Sequence, residues 1–589
     1  MTLTAAFPEI DELFDRYHAT AVAPGVAFGV IVDGELVHAG GRGTLRAGDG
    51  PDGGTPGIDS RYRIASMTKS FTAAAVLRLR DDGILRLDDP VTTLVPELAG
   101  LRGWSADSPP ITIRSLLTMT AGFPTDDPWG DRQLGLDHEA FLRFLERGPA
   151  LAWPPGVHFE YANLGYAILG LVVSRAAGEP YRAFVERRIL EPLGMTATTF
   201  DVDGVEPEVV APGYVKREDR WVEEPMAPDG AFAPMGGLFS TVRDLATWVR
   251  VFAAASPPRD EPDDGVPLTR ATLREMQELQ RAIPPELRGT RAGAPPAPFV
   301  SGYGFGLFVS LDVVRGRIVS HSGGLPGYGS NMRWHPATGL GVVAVANGRY
   351  AQPASVCSDA LNLLIDRGRA APRRPSPWPA TLAAKAVVER LVDAWDDEVA
   401  GELFAMNVAL DEDLASRRAA MERLHETHGR LRPDPSADAV SDTPAHLRWW
   451  LTGDRGRVEV EILLGPERPP RVQWLELTSV PEPSAALAEV ARRVVGRFDE
   501  RPPSWPTDVP LAPGVDRDAL DRDLRGAEAV FGPLRLGPVT AGDGGRKATW
   551  RLDGPHGTLS LALELAEDEA TVEAVTLVPD TVESPIHLA

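Results

Sequence analysis

The chain has 589 residues, 24% of them charged, and a formal net charge of -23. Its length predicts about two to four domains, and its composition is typical of a soluble globular protein. The acidic balance argues against nucleic-acid binding, which needs a basic face.

We find no signal peptide and no segment long enough to span a membrane, so we expect a cytoplasmic protein without membrane contact. Cys357 is the only cysteine, which excludes an intramolecular disulfide.

The first elements alternate between helix and strand. We predict a helix over residues 9–18, a buried strand over Gly25–Val32 and its hairpin partner after the turn at Asp33-Gly34. Residues 63–77 are small or apolar on nearly every side, which predicts a buried helix. Gly83 is the expected stop signal for that helix.

Ser66 and Lys69 are three residues apart, so both lie on one face of the predicted helix. They form a candidate nucleophile beside a candidate base. The chain has 60 Lys and Arg residues but only four lysines: Lys69, Lys216, Lys385 and Lys547. A desolvated lysine can give up its proton whereas arginine cannot, which favours proton transfer by Lys69. The alternative is a surface lysine that follows a helix-capping serine.

More helical segments follow over residues 84–190, and a second group of strands begins near Tyr303. A final helix over residues 354–365 closes the unit. Between the helical and strand regions, residues 256–298 are rich in proline and glycine and predict a flexible insertion. We expect both strand groups to join into one antiparallel sheet flanked by helices, with a large helical subdomain: an α+β fold over residues 1–368.

The C-terminal part contains an internal repeat. Residues 369–380 are proline-rich and predict a linker. Beyond it, similar stretches recur at an offset of about one hundred residues, which predicts two small α+β domains over residues 381–480 and 485–583. Each is expected to consist of helices followed by a curled antiparallel sheet. Dimerisation, binding of a protein partner and covering of a pocket all remain open as their role.

Two other polar stretches could join the serine and the lysine. Tyr161 precedes Asn163 by two residues at a predicted loop-to-helix boundary and offers a phenol for acid–base chemistry. The alternative is a capping asparagine beside a packing aromatic. A strand ends in His321-Ser322-Gly323-Gly324, whose glycines permit close approach of a substrate. The alternative there is a simple turn.

Three remaining motifs are interpreted as structural. Residues 425–428 lack the spacing of a zinc helix, and residues 302–306 lack the helix and the acid of a dinucleotide site. Residues 235–244 predict a tight turn followed by a capped helix. We therefore expect no metal and no organic cofactor.

The series Ser-x-x-Lys, Tyr-x-Asn and His-x-Gly resembles the penicillin-recognising serine hydrolases: class C β-lactamases, D-alanyl-D-alanine carboxypeptidases, D-aminopeptidases and related esterases. The flanking residues 116–122 and the pair Pro155-Gly156 match as well. The resemblance covers about residues 8–365 and implies a β-lactamase/transpeptidase-like fold. It implies that Ser66 is acylated and that Lys69 and Tyr161 form the base system.

The resemblance also implies substrate-binding roles. Asn163 would orient the substrate, and the backbone N–H groups of Ser66 and Gly324, next to Gly323, would form the oxyanion hole. His321 stands where many relatives have a lysine, and a mostly neutral histidine is a weaker anchor for a carboxylate. We therefore expect acyl-enzyme hydrolysis of a small-molecule or short-peptide ester, amide or D-amino-acid peptide bond.

Two alternatives stay open for the function. One is a β-lactamase proper, and the other is a catalytically weak binding or scaffold protein that acts through its C-terminal domains. The acidic loop over residues 125–131 would favour an amine-bearing substrate if it edges the pocket. A solvated loop is an equally good interpretation of that stretch.

Overall fold

The computed structural model describes residues 3–48, 50–265, 267–289, 296–312, 315–368, 375–435, 437–500, 502–555 and 557–579. The chain divides into two compact units. One comprises residues 1–286 and 298–372, and the other comprises residues 287–297 and 373–589.

The first unit contains the helices α1 Phe7–Ala19, α2 Thr68–Asp81, α3 Ile113–Leu117, α4 Asp127–Gly130, α5 His138–Glu146, α6 Asn163–Ala177, α7 Tyr181–Val185, α8 Ala233–Gly236, α9 Val242–Ala253, α10 Arg270–Met276 and α11 Ala354–Gly368. The strands of this part of the chain are β1 Gly25–Val32, β2 Glu35–Gly43, β3 Tyr62–Arg63, β4 Tyr214–Arg217, β5 Arg220–Glu223, β6 Phe239–Ser240, β7 Arg281–Gly289, β8 Pro296–Tyr303, β9 Phe308–Asp312, β10 Gly316–Leu325, β11 Tyr328–His335 and β12 Leu340–Ala346. Residues 287–289 of β7 and 296–297 of β8 are counted with the second unit.

Eight of these strands form one sheet in the order β2-β1-β12-β11-β10-β9-β8-β7. Every pairing from β2 to β8 is antiparallel. Strand β1 pairs with β12, so the two strand groups join as predicted. Successive side chains of β1 enter different cores: Phe28 packs with α1 and α11, whereas Ala27 faces the core of α2 and α9. Burial on both faces explains the continuous apolar sequence of β1 and β12.

The helical block covers one face of the sheet, and α2 lies inside it. All ten residues from Thr68 to Leu77 are buried, because helices α6 and α8 pack against α2. Helix α2 ends before Gly83, which has φ +74°, as its sequence predicts. The α+β class and the large helical subdomain are thus confirmed. None of the helices in the described ranges is long and apolar enough to cross a membrane.

The predicted flexible insertion over residues 256–298 is wrong for much of its length. Helix α10 and strand β7 lie within it, and β8 begins within it. Leu273 and Met276 anchor α10 in the core, and the Thr269 side chain accepts a hydrogen bond from the backbone N–H of Thr272 at 3.1 Å. The proline and glycine content hid this short amphipathic helix. Residues 266 and 290–295 lie outside the described residues.

The second unit contains helices α12 Pro379–Asp393, α13 Asp397–Leu403, α14 Met406–Asp411, α15 Leu414–His428, α16 Ala485–Gly496 and α17 Arg517–Phe531. Its strands are β13 Arg432–Pro433, β14 His446–Gly453, β15 Gly456–Leu464, β16 Val472–Pro481, β17 Arg535–Gly542, β18 Lys547–Gly554, β19 Gly557–Leu565 and β20 Val572–Pro579. They form two four-stranded sheets, β13-β14-β15-β16 and β17-β18-β19-β20.

The internal repeat appears in these two sheets as matching hairpins. Gly453 pairs with Gly456 in the first hairpin, and Gly554 pairs with Gly557 in the second. The presence of extra C-terminal sheet domains is therefore confirmed, whereas their boundaries at 480 and 485 stay predictions. The linker prediction over 369–380 is wrong at its end, because α12 begins at Pro379 and its apolar face is buried. Residues 369–374 and 580–583 lie outside the described residues.

The first prediction concerns the independence of the first unit. Two of its buried apolar clusters draw on residues between Ala6 and Leu364, whereas a buried cluster of the second unit lies between Ala384 and Val472. A protein truncated after Gly368 should therefore stay soluble and unfold in one cooperative transition, measured by circular dichroism during heating. Aggregation, or a broad non-cooperative melt, would show that the first unit needs the second to complete its core.

Candidate active site

Ser66 lies on a turn that joins strand β3 to helix α2. The turn is a single 3-10 turn over Ala65–Met67, and Ala65 has a positive φ of 49°. This left-handed conformation is uncommon for a residue with a side chain, and such strain is often found at functional sites. The turn is held from the sheet, since the Ser330 hydroxyl donates to the Ile64 carbonyl at 2.7 Å. Ser66 is 9% exposed and lines a cavity.

Lys69 lies one helical turn after the serine and is fully buried. Its Nζ is 2.9 Å from Ser66 Oγ, 2.7 Å from Asn163 Oδ1 and 2.8 Å from the Met235 carbonyl oxygen. An ammonium has three N–H donors, so these three acceptors satisfy its charged form completely. A neutral amine keeps two of these bonds and can accept the serine proton along the third. The position therefore suits a lysine that gains and loses a proton.

The charge state of Lys69 is set by two opposing effects. Burial disfavours the ammonium and lowers the Lys69 pKa to about 8. The carboxylates of Asp127, Asp131 and Asp126 act in the opposite direction and raise it. The outcome is a base that is substantially neutral at mildly alkaline pH, close to the range in which general bases work best.

Asn163 is the first residue of α6, and its side chain connects the lysine to an acidic loop. Its Nδ2 donates to Asp127 Oδ1 at 2.9 Å, so its carbonyl oxygen must face Lys69. The capping interpretation of this asparagine is wrong: Asp126 caps the helix instead, accepting from the backbone N–H groups of Asn163 and Leu164. Since Asn163 is fully buried, its geometry suits holding Lys69 more directly than contacting a substrate.

The sequence predicts a purely structural role for the segment at Met235, and that prediction is incomplete. Thr241 does cap helix α9, as expected. The carbonyl oxygen of Met235, in the short helix α8, also accepts a hydrogen bond from Lys69. Thr72 of α2 donates to the neighbouring Pro234 carbonyl at 2.6 Å and fixes α8 against α2. Backbone carbonyls leave no side-chain signature, so the sequence carries no signal for this contact.

Tyr161 brings a phenol to the same serine. Burial raises the pKa of Tyr161 well above its usual value, and a hydrogen bond with Ser66 lowers it by a smaller amount. Its ring also lies under the lysine, with Lys69 Nζ 5.0 Å from the ring centroid. Tyr161 is therefore held as a protonated phenol, which makes it a proton donor and relay rather than a phenolate base.

His321 lies on β10 and is held in its neutral form. Its Nδ1 is 2.6 Å from the Ser322 carbonyl, which can only accept, so Nδ1 carries the proton. Its Nε2 is then the acceptor for the Tyr303 hydroxyl at 3.1 Å. Burial, together with the charge of Lys69, lowers the His321 pKa to about 3. The side chain therefore offers no cation for a substrate carboxylate.

Gly323 and Gly324 follow on the same strand and line the cavity. A Cβ at Gly323 would lie 2.2 Å from the Ile64 carbonyl, so only glycine lets β10 run this close to the nucleophile turn. A Cβ at Gly324 would meet the Tyr350 ring at 3.0 Å. The structure thus brings the end of β10 beside Ser66, as the sequence predicts.

The cavity has a volume of about 430 Å³ and holds the nucleophile together with residues that sequence reasoning did not single out. Tyr350, Phe308 and Ser330 line it. Asp127 and Asp131 line it as well, so the acidic loop does edge the pocket. Within the ranges that the structure describes, no three His, Cys, Asp or Glu side chains are grouped as metal ligands. The roles of the predicted site residues stay predictions, but the structure gathers all of them around one cavity and its floor.

The sequence from residue 10 to residue 364 matches the family model described as Beta-lactamase. The chain belongs to the beta-lactamase family. This confirms the resemblance to penicillin-recognising serine hydrolases.

Two curated proteins are similar to part of the chain. Protein flp of Staphylococcus aureus (strain COL) is 27% identical over 291 residues, which is 49% of this chain and 53% of that protein. The chain therefore spans about half the length of the curated relatives that it matches first. A protein of Mycobacterium tuberculosis (strain CDC 1551 / Oshkosh) is 32% identical over 295 residues, covering 45% of this chain and 71% of that protein.

A solved structure extends the likeness of fold beyond the beta-lactamase family region. The octameric penicillin-binding protein homologue from Pyrococcus abyssi superposes with a TM-score of 0.52 at 19% identity. The match covers 97% of this chain and 98% of the chain of that protein. The second unit therefore has a counterpart in that fold as well.

The second prediction concerns the pH dependence of acylation in this beta-lactamase-family protein. Only neutral Lys69 can take the Ser66 proton, and its pKa is lowered to about 8. The second-order rate of Ser66 labelling by a fluorophosphonate should therefore rise with pH and level off above about 8, as measured by quenched-flow labelling between pH 6 and pH 9.5. A rate that is flat or falls across this range would exclude Lys69 as the base.

Proposed function

We propose that the chain is a serine hydrolase that acts through an acyl-enzyme on an ester, amide or D-amino-acid peptide bond. The observation that carries this proposal is the 2.9 Å contact between Lys69 Nζ and Ser66 Oγ inside a buried set of acceptors. The three acceptors offset the hydration that a buried ammonium loses, and one of them is the hydroxyl of a serine that lines the cavity.

Acylation begins with neutral Lys69. As Ser66 Oγ bonds to the substrate carbonyl carbon, Lys69 Nζ takes the hydroxyl proton and becomes an ammonium held by Asn163 and Met235. The carbonyl oxygen becomes an oxyanion, for which the backbone N–H groups of Ser66 and Gly324 are the proposed donors. The bond to the leaving group then breaks. The leaving alkoxide or amine takes the Tyr161 proton, and Lys69 returns a proton to Tyr161.

Deacylation reverses these proton movements. A water molecule attacks the ester carbonyl of the acyl-enzyme and gives its proton to the Tyr161–Lys69 pair. The bond between the acyl carbon and Ser66 Oγ breaks, and the serine oxygen regains its proton. The product is a carboxylic acid. The positive charge that forms on Lys69 in each half of the reaction lies among the buried acceptors, which limits reorganisation.

The neutral His321 argues for the substrate classes named above over an efficient β-lactamase, because a lactam carboxylate would find no cation at this position. A scaffold function would not explain the strained turn at Ala65 or the fully paired Lys69.

A small-molecule or short-peptide substrate fits a cavity of about 430 Å³. Dimerisation or partner binding by the second unit, and a cytoplasmic location, remain predictions from sequence.

The third prediction tests the nucleophile and its base. A fluorophosphonate probe should label the wild type at Ser66, and Ser66→Ala should abolish labelling. Lys69→Arg keeps a positive charge but cannot deprotonate, so labelling and ester turnover should fall by at least about a hundredfold. Lys216→Arg is the matched control, because Lys216 is exposed on β4, and it should behave like the wild type. Near wild-type turnover by Lys69→Arg would remove the base from the mechanism.

The fourth prediction ranks the substrates. Because His321 is uncharged, kcat/KM for a short p-nitrophenyl ester or a D-amino-acid anilide should exceed that for a chromogenic cephalosporin. Initial rates on purified protein provide the comparison, and Ser66→Ala corrects for spontaneous hydrolysis. If cephalosporin turnover clearly exceeds the ester rate, the chain is a β-lactamase proper.

A further inference from the structure

Asp131 is a nearly buried carboxylate on the wall of the catalytic cavity. The residue is 4% exposed and lines the same cavity as Ser66. Its Oδ2 accepts a hydrogen bond from the Tyr350 hydroxyl at 2.8 Å. Among the described residues, the hydrogen bond that Asp131 makes uses Oδ2 only, and Oδ1 is not one of the enclosed, unpaired oxygens. Oδ1 therefore stays accessible on the cavity wall and can accept a hydrogen bond from a ligand.

Tyr350 positions the Asp131 carboxylate. Tyr350 packs its ring against Gly324 at the end of β10 and directs its hydroxyl toward the carboxylate. Tyr350 has a positive φ of 50°, unusual for a bulky residue, and its N–H donates to the Leu325 carbonyl at 3.3 Å. One residue thus connects the proposed oxyanion strand to the carboxylate. A ligand group bound at Asp131 would lie in the same cavity as the scissile carbonyl.

The charges around Asp131 leave the cavity short of positive charge. The charged or titratable groups near Asp131 are Lys69, Asp126, Asp127, Tyr350 and, acting on the Tyr350 phenol, Arg132 and Arg349. The three donors of Lys69 are directed to other acceptors. Arg132 is half exposed and directed toward Glu224 at 3.5 Å, and Arg349 lies over the Tyr350 ring. His321, on β10, is neutral.

Asp127 is the second acid of the cavity wall. One of its oxygens accepts from Asn163 Nδ2, so Asp127 is partly committed to the support of Lys69. Three carboxylates, Asp126 included, therefore surround a single lysine. The backbone N–H groups at the start of α6 satisfy Asp126, which leaves Asp131 and Asp127 to face the cavity.

We propose that Asp131, assisted by Asp127, binds a protonated primary amine on the acyl part of the substrate, an inference that rests on the proposed hydrolase function. The ammonium can donate to Oδ1 and bring a positive charge to a wall that two carboxylates and no Lys or Arg side chain line. The preferred substrate is then an amide or ester of an amino acid with a free amino group. Acetylation of that amine removes both the charge and two of the three donors.

This binding mode has a defined pH range. Burial raises the Asp131 pKa to about 7, so the carboxyl is mostly ionised only on the alkaline side of that value. The α-amino group of an amino-acid amide is protonated below about 8. The preference for the free amine should therefore be largest between about pH 7 and pH 8, and it should decrease on both sides.

The test measures binding separately from turnover. Full-length Ser66→Ala is titrated calorimetrically with D-alaninamide and with N-acetyl-D-alaninamide at pH 7.5 and pH 5.5. We expect the free amine to bind at least about tenfold more tightly at pH 7.5, since a buried charge pair outweighs a neutral contact, and the preference to shrink toward one at pH 5.5. Equal affinities at pH 7.5, or a preference that does not change at pH 5.5, would overturn the proposal.

Asp131→Asn, added to Ser66→Ala, removes the charge but keeps the shape, and should bring the ratio of affinities at pH 7.5 close to one. Asp219→Asn is the matched control: it removes the same charge from a side chain that is 98% exposed at a positive φ, which asparagine tolerates. Its ratio should equal that of Ser66→Ala. An unchanged ratio in the Asp131→Asn protein would overturn the proposal.

Failure of this proposal can be distinguished from failure of the proposed hydrolase function. Fluorophosphonate labelling of the wild type reports whether Ser66 is a nucleophile, whether or not amines bind. Labelling at Ser66 with no amine preference would leave a hydrolase without this specificity. An amine preference without labelling would leave an amine-binding site and refute acyl transfer.

Discussion

The first unit depends on one buried interaction, the contact of Lys69 Nζ with three oxygen acceptors. The acceptors come from three distant places in the chain: Ser66, Asn163 and the Met235 carbonyl. Removing a charge from water is costly unless every donor is paired, so this set of contacts fixes how α2, α6 and α8 must pack. The same pairing keeps the amine close to the serine oxygen in both protonation states. Structure and proposed chemistry therefore have the same physical origin.

The acidic loop after residue 125 adjusts this interaction. Burial alone would lower the Lys69 pKa further, and the nearby carboxylates limit the decrease. Asp126 and Asp127 also hold Asn163, so the residues that tune the charge of the lysine position its acceptor as well. Asp131 has no such structural duty beyond its bond to Tyr350, which is why it is the carboxylate available to a substrate. The loop over residues 125–131 thus both adjusts the pKa of Lys69 and carries the proposed substrate-binding carboxylate.

Much of the fold and of the site could be predicted from local patterns. The apolar runs of β1 and β12 and the serine–lysine spacing in a small-residue helix depend on neighbouring residues. The hundred-residue repeat is visible when the sequence is compared with itself. Strand β7 and helix α10 were missed, because proline and glycine content outweighed a short amphipathic pattern. The role of the Met235 carbonyl and the pairing of Tyr350 with Asp131 could not be predicted. They arise where distant segments meet, and a backbone oxygen has no sequence signal.

The central claim is that Lys69 exchanges a proton near neutrality, and its titration can be measured directly. The chain has only four lysines, so lysine labelled with ¹³C at Cε gives four NMR signals, and the Lys69 signal is the one that Lys69→Arg removes. The account predicts a titration midpoint for this signal near pH 8. A signal that does not shift below about pH 9.5, as for an ordinary lysine, would contradict it.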